Sequence, residues 1–170
     1  MKFNDIKEFP NSYYSVDIPW AYLERWIEDH KDELTNIDMN PFFQRGYVWK
    51  EKQKIAYIEY ILKNGFSSRD IFWNHPYWGR FTKPASMVLV DGKQRISAVL
   101  DFLNNKIKAF GFYYKEYEGS VPHHCGFKMH INNLKSEKDV VEWYIGLNTG
   151  GSIHTDKDLK SAVEYLKGEK

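Results

Sequence analysis

The residues best suited to chemistry are Asp91-Gly92-Lys93-Gln94-Arg95, which follow directly on the apolar run Met87–Val90. That run reads as a buried strand, and Ile96, Val99, Leu100 and Leu103 behind it form a helical stripe. The first N–H groups of a helix that starts here lack intrahelical acceptors and carry the positive end of its dipole. Together they make an anion site. Gly92 lets backbone come close to a ligand. Lys93 adds charge, and Arg95 can grip a phosphate through paired hydrogen bonds. Asp91 is the odd member, because a carboxylate repels phosphate. Its presence is consistent with holding Mg2+, accepting a ribose hydroxyl, or orienting Arg95. The plain alternative is a turn in which Asp91 merely caps the helix.

Other segments invite a chemical reading. Gln44 and Arg45 lie among Phe42, Phe43, Tyr47 and Trp49. In such a loop a ring can stack on a base while Arg45 meets phosphate, although most of these rings are expected in the core. Trp73, His75, Tyr77, Trp78 and Arg80 either contact DNA bases, gate a pocket, or form a lid packed on the core. His123-His124-Cys125 with His130 fits no common structural zinc spacing. Cys125 is also far in sequence from the phosphate motif, which argues against a nucleophilic role.

The elements that would position these residues follow from periodicity and breakers. Ile18-Pro19, with Asp17 as cap, is expected to open a helix. Thr35–Asn40 alternates like a short strand, and Pro41–Tyr47 is loop-like. A helix begins near Lys50, carries Ile55, Ile58, Ile61 and Leu62 on one face, and stops at Gly65. Asp70–Asn74 and Ser86–Val90 read as strands. Further strands are expected at Ile107–Phe112, Tyr113–Tyr117 and Phe127–Ile131. A helix from Ser136 to about Leu147 is broken by Asn148-Thr149-Gly150-Gly151, and Thr155 caps a last one. The class is α+β, as one domain over residues 1–170.

Composition bounds the rest. Aromatic residues make up 17% of the chain, which fits a packed globular protein rather than a disordered one. A net charge of +1 excludes a general polyanion binder. Arg45, Lys50, Lys52 and Lys54, with Arg80, Lys83, Lys93 and Arg95, would still make a local basic site if folding gathered them. No apolar run is long enough to span a membrane, and the N-terminus lacks a signal-peptide core. With the single Cys125, the cytoplasm is the expected compartment.

Asp91-Gly92-Lys93-Gln94-Arg95 resembles the Asp-Gly-Gln-Gln-Arg signature of the ParB-like, sulfiredoxin-like N-terminal domains of GmrSD-type modification-dependent restriction systems. Asn40-Pro41-Phe42-Phe43-Gln44-Arg45-Gly46-Tyr47-Val48-Trp49 is similar to that family's Pro-x-aromatic-Gln-Arg-x-aromatic-Val-Trp segment. Leu147-Asn148-Thr149-Gly150-Gly151, before Thr155 and Leu159, resembles its Leu-Asn-Thr-Gly-Gly segment. Gly92, Arg95 and Ala98 also match the wider Gly-x-x-Arg-x-x-Ala phosphate motif. The resemblance implies a small mixed sheet flanked by helices, with the phosphate motif at a strand-to-helix turn. It implies a nucleoside triphosphate as ligand or substrate, Mg2+ as cofactor, and in several members hydrolysis. Matched by position, Gln44 and Arg45 would face the nucleotide. Asp91, Gly92, Gln94 and Arg95 would form the signature site, with Asp91, Gln94, Arg95 and Arg45 catalytic, and Asn148 would lie nearby. Lys93 stands where the family has Gln. Members that cut DNA carry a nuclease domain, and none is expected within these 170 residues. DNA and a separate nuclease or effector chain are therefore the implied partners. The leading expectation is a nucleoside triphosphatase acting on or near DNA. The alternatives are a non-enzymatic binder of modified DNA or protein, and a phosphotransferase or DNA-processing enzyme on the same scaffold.

Overall fold

A computed structural model of the chain describes residues 14–79, 83–149 and 156–168, with the side chains of 156–158 left aside. Strands β1 (Tyr14–Pro19), β2 (Asp70–Asn74), β3 (Val88–Asp91) and β4 (Gly126–Asn132) form one mixed sheet in the order β1-β4-β2-β3. β4 pairs with β1 antiparallel and with β2 parallel, and β2 pairs with β3 antiparallel. The helices are α1 (Leu23–Asp29), α2 (Glu51–Leu62), α3 (Lys93–Leu103), α4 (Glu137–Thr149) and α5 (Asp156–Lys167). The architecture is the expected α+β one: a small mixed sheet with helices around it.

Alternation along the strands divides the apolar side chains between two faces. Ile71, Trp73, Leu89, Phe127, Met129 and Ile131 join Ile58 and Ile61 of α2 and Ile96 and Val99 of α3 in one core. Phe72, Val88 and Val90 turn the other way, toward Val140, Val141, Trp143 and Tyr144 of α4. α2 and α3 are also locked together at their polar edge. Lys54 Nζ lies 2.5 Å from Asp101 Oδ2 and donates to Ser97 Oγ at 2.9 Å.

Several expectations change. The helix expected from Ile18-Pro19 begins only after a strand. Val16 and Ile18 are half-buried while Ser15 and Asp17 are exposed, a period-two pattern that Pro19 obscured. Asp17 caps nothing and instead stands opposite Lys128. Pro19 is tolerated because it ends an edge strand, where its missing N–H goes unneeded. The strand expected at Thr35–Asn40 reduces to one bridge, between Asp38 and Val88. The strands expected at Ile107–Phe112 and Tyr113–Tyr117 do not form. Ala109 and Phe112 close a tight turn, and Tyr114–Glu116 makes a 3-10 turn that starts with Glu116 accepting the Tyr113 N–H at 2.6 Å. α4 runs on through Asn148 and Thr149 rather than breaking at Asn148. Thr155 and Arg80 lie outside the described residues.

Cys125 is fully buried in the first core, and this burial pushes its thiol up to about 11. A thiol raised this way is almost wholly protonated at pH 8, and the thiolate is the nucleophile. The native protein is expected to leave a disulfide reagent unreacted over minutes at that pH, and to consume one equivalent once unfolded in denaturant. Rapid native labelling would contradict the burial.

Candidate functional site

Gly92 joins β3 to α3 and sets the geometry of everything after it. Its φ of +111° belongs to glycine, and it is the N-cap of α3 with no side-chain cap. Asp91 therefore does not cap the helix. The space beside Gly92 is closed as well: a Cβ there would lie 2.4 Å from Ile71 Cδ1. The close approach that glycine permits is first of all to β2. It brings the start of α3 down onto the sheet, where Gly92, Lys93, Gln94 and Arg95 line a cleft of about 480 Å3.

Three walls surround this cleft. One is the β3–α3 turn, from Val90 to Arg95. The second is the loop before α2, which contributes Gln44, Arg45 and Trp49, with Ser68 beyond. The third is α4, which presents Tyr144, Leu147 and Asn148. Of the expected site residues, Gln44, Arg45, Asp91, Gly92, Lys93, Gln94, Arg95 and Asn148 all line this one space. Tyr144, Leu147, Ser68 and Trp49 were not expected there. Tyr144 and Leu147 share a helical face with Asn148 at i, i+3 and i+4 spacing, and that spacing was the available signal. Ser68 follows from no local pattern.

The side chains differ sharply in what they already hold. Arg95 donates through Nη2 to Asp91 Oδ2 at 2.5 Å, one helical turn back. Its buried Nε has no partner among the described residues. Gln94 is buried and turned to the 46–49 loop. Its Oε1 accepts the N–H of Val48 at 3.1 Å and of Trp49 at 3.2 Å, while its Nε2 donates to the Gly46 carbonyl at 3.0 Å. Lys93 is also buried. Its ammonium donates to the Arg45 carbonyl at 3.2 Å and sits 4.8 Å from the centre of the Tyr47 ring. Burial holds the Lys93 ammonium below its ordinary pKa, partly opposed by the Asp38 carboxylate. Gln44 Nε2 donates to the Leu89 carbonyl at 2.5 Å. Asn148 Nδ2 donates to the Tyr144 carbonyl at 2.7 Å. The loop bearing Arg45 is thus fastened to the start of α3 mainly through its backbone.

The basic clusters read from the sequence are gathered only in part. Arg45, Lys93 and Arg95 meet at the cleft, whereas Lys54 is tied to Asp101, and Lys50, Lys52 and Lys83 are exposed. The rings of the Phe42–Trp49 segment divide evenly between core and surface. Phe43 is buried, Trp49 is half-buried against Tyr57, and Phe42 and Tyr47 are exposed.

The Trp73–Trp78 segment is packed rather than open. Trp73 and His75 are fully buried. The His75 ring donates from Nε2 to the Leu34 carbonyl at 3.0 Å and accepts the Tyr77 N–H on Nδ1 at 3.2 Å. His130 is paired with Asp70 at 2.6 Å and stacked on Phe72.

Asp91 is the only carboxylate lining the cleft among the described residues. No group of three or more His, Cys, Asp and Glu residues among them could hold a metal ion. This donor set fits Mg2+ carried in by a polyphosphate, because that ion takes one or two protein carboxylates and completes its shell with phosphate oxygens and water.

A family model described as the N-terminal domain of the GmrSD restriction endonuclease matches residues 23–140. No curated protein and no solved structure matches the chain. No helix among the described residues is long and apolar enough to cross a membrane.

Proposed function

The chain belongs to the family of GmrSD restriction endonuclease N-terminal domains, and on that premise we propose that its cleft binds a nucleoside triphosphate with Mg2+ and hydrolyses it in a DNA-restriction context. The scaffold is read as ParB/sulfiredoxin-like, acting in the cytoplasm beside DNA and a nuclease or effector chain. The observation that carries this reading is convergence. The open start of α3, Arg95 and Arg45 face one cleft whose sole described acid is Asp91. A volume near 480 Å3 lies within the range of small-ligand clefts.

In this reading, the N–H groups of the first turn of α3 and the Arg95 guanidinium hold the phosphates. Arg45 faces charge that develops on the transferred group. Asp91 is the carboxylate that would hold Mg2+, which when bound neutralises phosphate charge. A water oxygen attacks the terminal phosphorus, the bond to the bridging oxygen breaks, the nucleoside diphosphate leaves with its electron pair, and the water gives up a proton as inorganic phosphate forms. Gln94 and Lys93 act one step back. Their polar atoms hold the Arg45 loop, so we assign them positioning roles in place of the catalytic and ligand-binding ones expected from the motif. Asn148 and Gln44 shape the walls.

The test is nucleotide binding and phosphate release with ATP, GTP, CTP and UTP, with Mg2+ and with or without DNA. Arg95→Ala is expected to lower affinity by about tenfold or more, as loss of a charged phosphate contact does, while circular dichroism stays unchanged. Absence of binding by every nucleotide to the folded protein would sink the reading.

A further inference from the structure

Beside Glu59 of α2 and Lys63 at its end, the chain makes a turn that is costly for its sequence. Ala109 and Phe112 exchange backbone hydrogen bonds at 2.9 and 3.0 Å, enclosing Phe110 and Gly111. Both enclosed residues have positive φ, 48° for Phe110 and 85° for Gly111. Such two-residue turns favour Asn-Gly, and a bulky residue in the first position is strained. Phe110 gains little burial in return, because it is 42% exposed, and its neighbour Phe112 is 55% exposed. The strained turn is clamped in place. The Phe110 N–H donates to Glu59 Oε1 of α2 at 2.8 Å. Lys63, at the end of the same helix, sets its ammonium 5.1 Å from the centre of the Phe110 ring. Lys108 sits likewise 4.7 Å from the ring of Tyr113.

Strain that packing does not repay is typical of functional positions. Here it leaves the Phe110 ring partly in water beside the Lys63 ammonium, next to the exposed Phe112 ring and the half-buried Tyr113 ring with Lys108. We propose that this turn is a stacking site for the bases of single-stranded nucleic acid, with Lys63 and Lys108 serving the backbone phosphates. Rings interleaved with cations are how strand-binding surfaces work, since every base has a face to stack and every linkage a charge to meet. Lysines already poised over rings favour this ligand over an apolar protein segment, which would have to bury them. The site stands apart from the cleft. Lys63, Lys108, Phe110, Phe112 and Tyr113 are all absent from the cleft lining.

The experiment is fluorescence anisotropy with a labelled thymidine oligonucleotide of about 15 nucleotides, a span that covers such sites. It is run single-stranded and as a matched duplex, at several salt concentrations. The proteins are wild type, Phe110→Asn, the double variant Lys63→Ala/Lys108→Ala, and Arg95→Ala. Wild type is expected to bind the single strand more tightly than the duplex and to lose affinity with salt. Phe110→Asn is expected to weaken binding about tenfold, the loss of one stacked base. Its melting temperature should nevertheless rise, because asparagine suits the turn. The lysine double variant should flatten the salt dependence, and Arg95→Ala should bind like wild type. The proposal is overturned by no single-strand binding, by equal binding of the duplex, or by a Phe110→Asn variant that binds normally or melts lower. Loss of binding in Arg95→Ala would move the site to the cleft and overturn it too. No binding with any oligonucleotide would leave the rings to a protein partner.

Discussion

Gly92→Ala is expected to lower stability by about 3 kcal/mol, combining a left-handed backbone penalty with an overpacking one. The φ of +111° is one cost. The other is steric, since the new methyl would sit 2.4 Å from Ile71 Cδ1 and 3.1 Å from Ile71 Cγ2. Ile71 is fully buried in the first core, so its side chain can yield only by repacking against its neighbours. For a chain of this size the loss corresponds to a melting temperature lower by about 6–12 °C. The two causes can be separated. Ile71→Val removes Cδ1, so Gly92→Ala/Ile71→Val should recover the steric part and keep the backbone part. Urea unfolding of the four proteins measures the coupling. Strict additivity would show that the contact with β2 is not what demands glycine.

Asp91→Asn is expected to separate binding from turnover. Asp91 and Arg95 form their ion pair within the cleft, with side chains 36% and 20% exposed. An incoming phosphate must displace this carboxylate from the guanidinium or share it. Asparagine keeps the shape and removes the charge. Binding of pyrophosphate without Mg2+ should therefore tighten by about tenfold, the modest size reflecting solvent screening of a partly exposed pair. Turnover with Mg2+ should fall by about a hundredfold or more, since the carboxylate that would hold the ion is gone. Calorimetry with pyrophosphate and a phosphate-release assay read the two arms independently. Weaker metal-free binding would mean that Asp91 helps rather than opposes the anion. Turnover near the wild-type rate would remove Asp91 from the reaction.

Much of the scaffold was legible because it is written in local pattern. β2 falls on the expected Asp70–Asn74, and α2 and α3 follow their apolar stripes. The convergence of Gln44, Arg45, Asp91, Lys93, Arg95 and Asn148 on one cleft was legible only through resemblance, since no spacing relates the loop before α2 to the start of α3. Where local pattern failed, tertiary contacts decided. Ile107–Tyr117 has strand-forming residues, yet the Glu59 clamp on Phe110 and the Glu116 contact to Tyr113 turn it into tight turns. β1 was missed because its inward residues are only half-buried and a proline ends it. Gln94 carries a polar side chain that any motif reading would aim at a ligand. Its direction toward Gly46, Val48 and Trp49 comes from the loop's unpaired backbone groups, which the sequence does not display.

That fastening has a consequence for how such a site changes over time. Gln94 and Lys93 grip the loop by its peptide groups, which are the same whatever the residue. The side chains of Tyr47 and Val48 project into solvent at 55% and 45% exposure. Substitutions at Val48 leave the arch that carries Arg45 in place, whereas the Tyr47 ring also meets the Lys93 ammonium. The cleft thus has a wall set by backbone contacts, with the exposed Val48 side chain outside its lining. Change at that surface leaves the position of Arg45 at the cleft as it was.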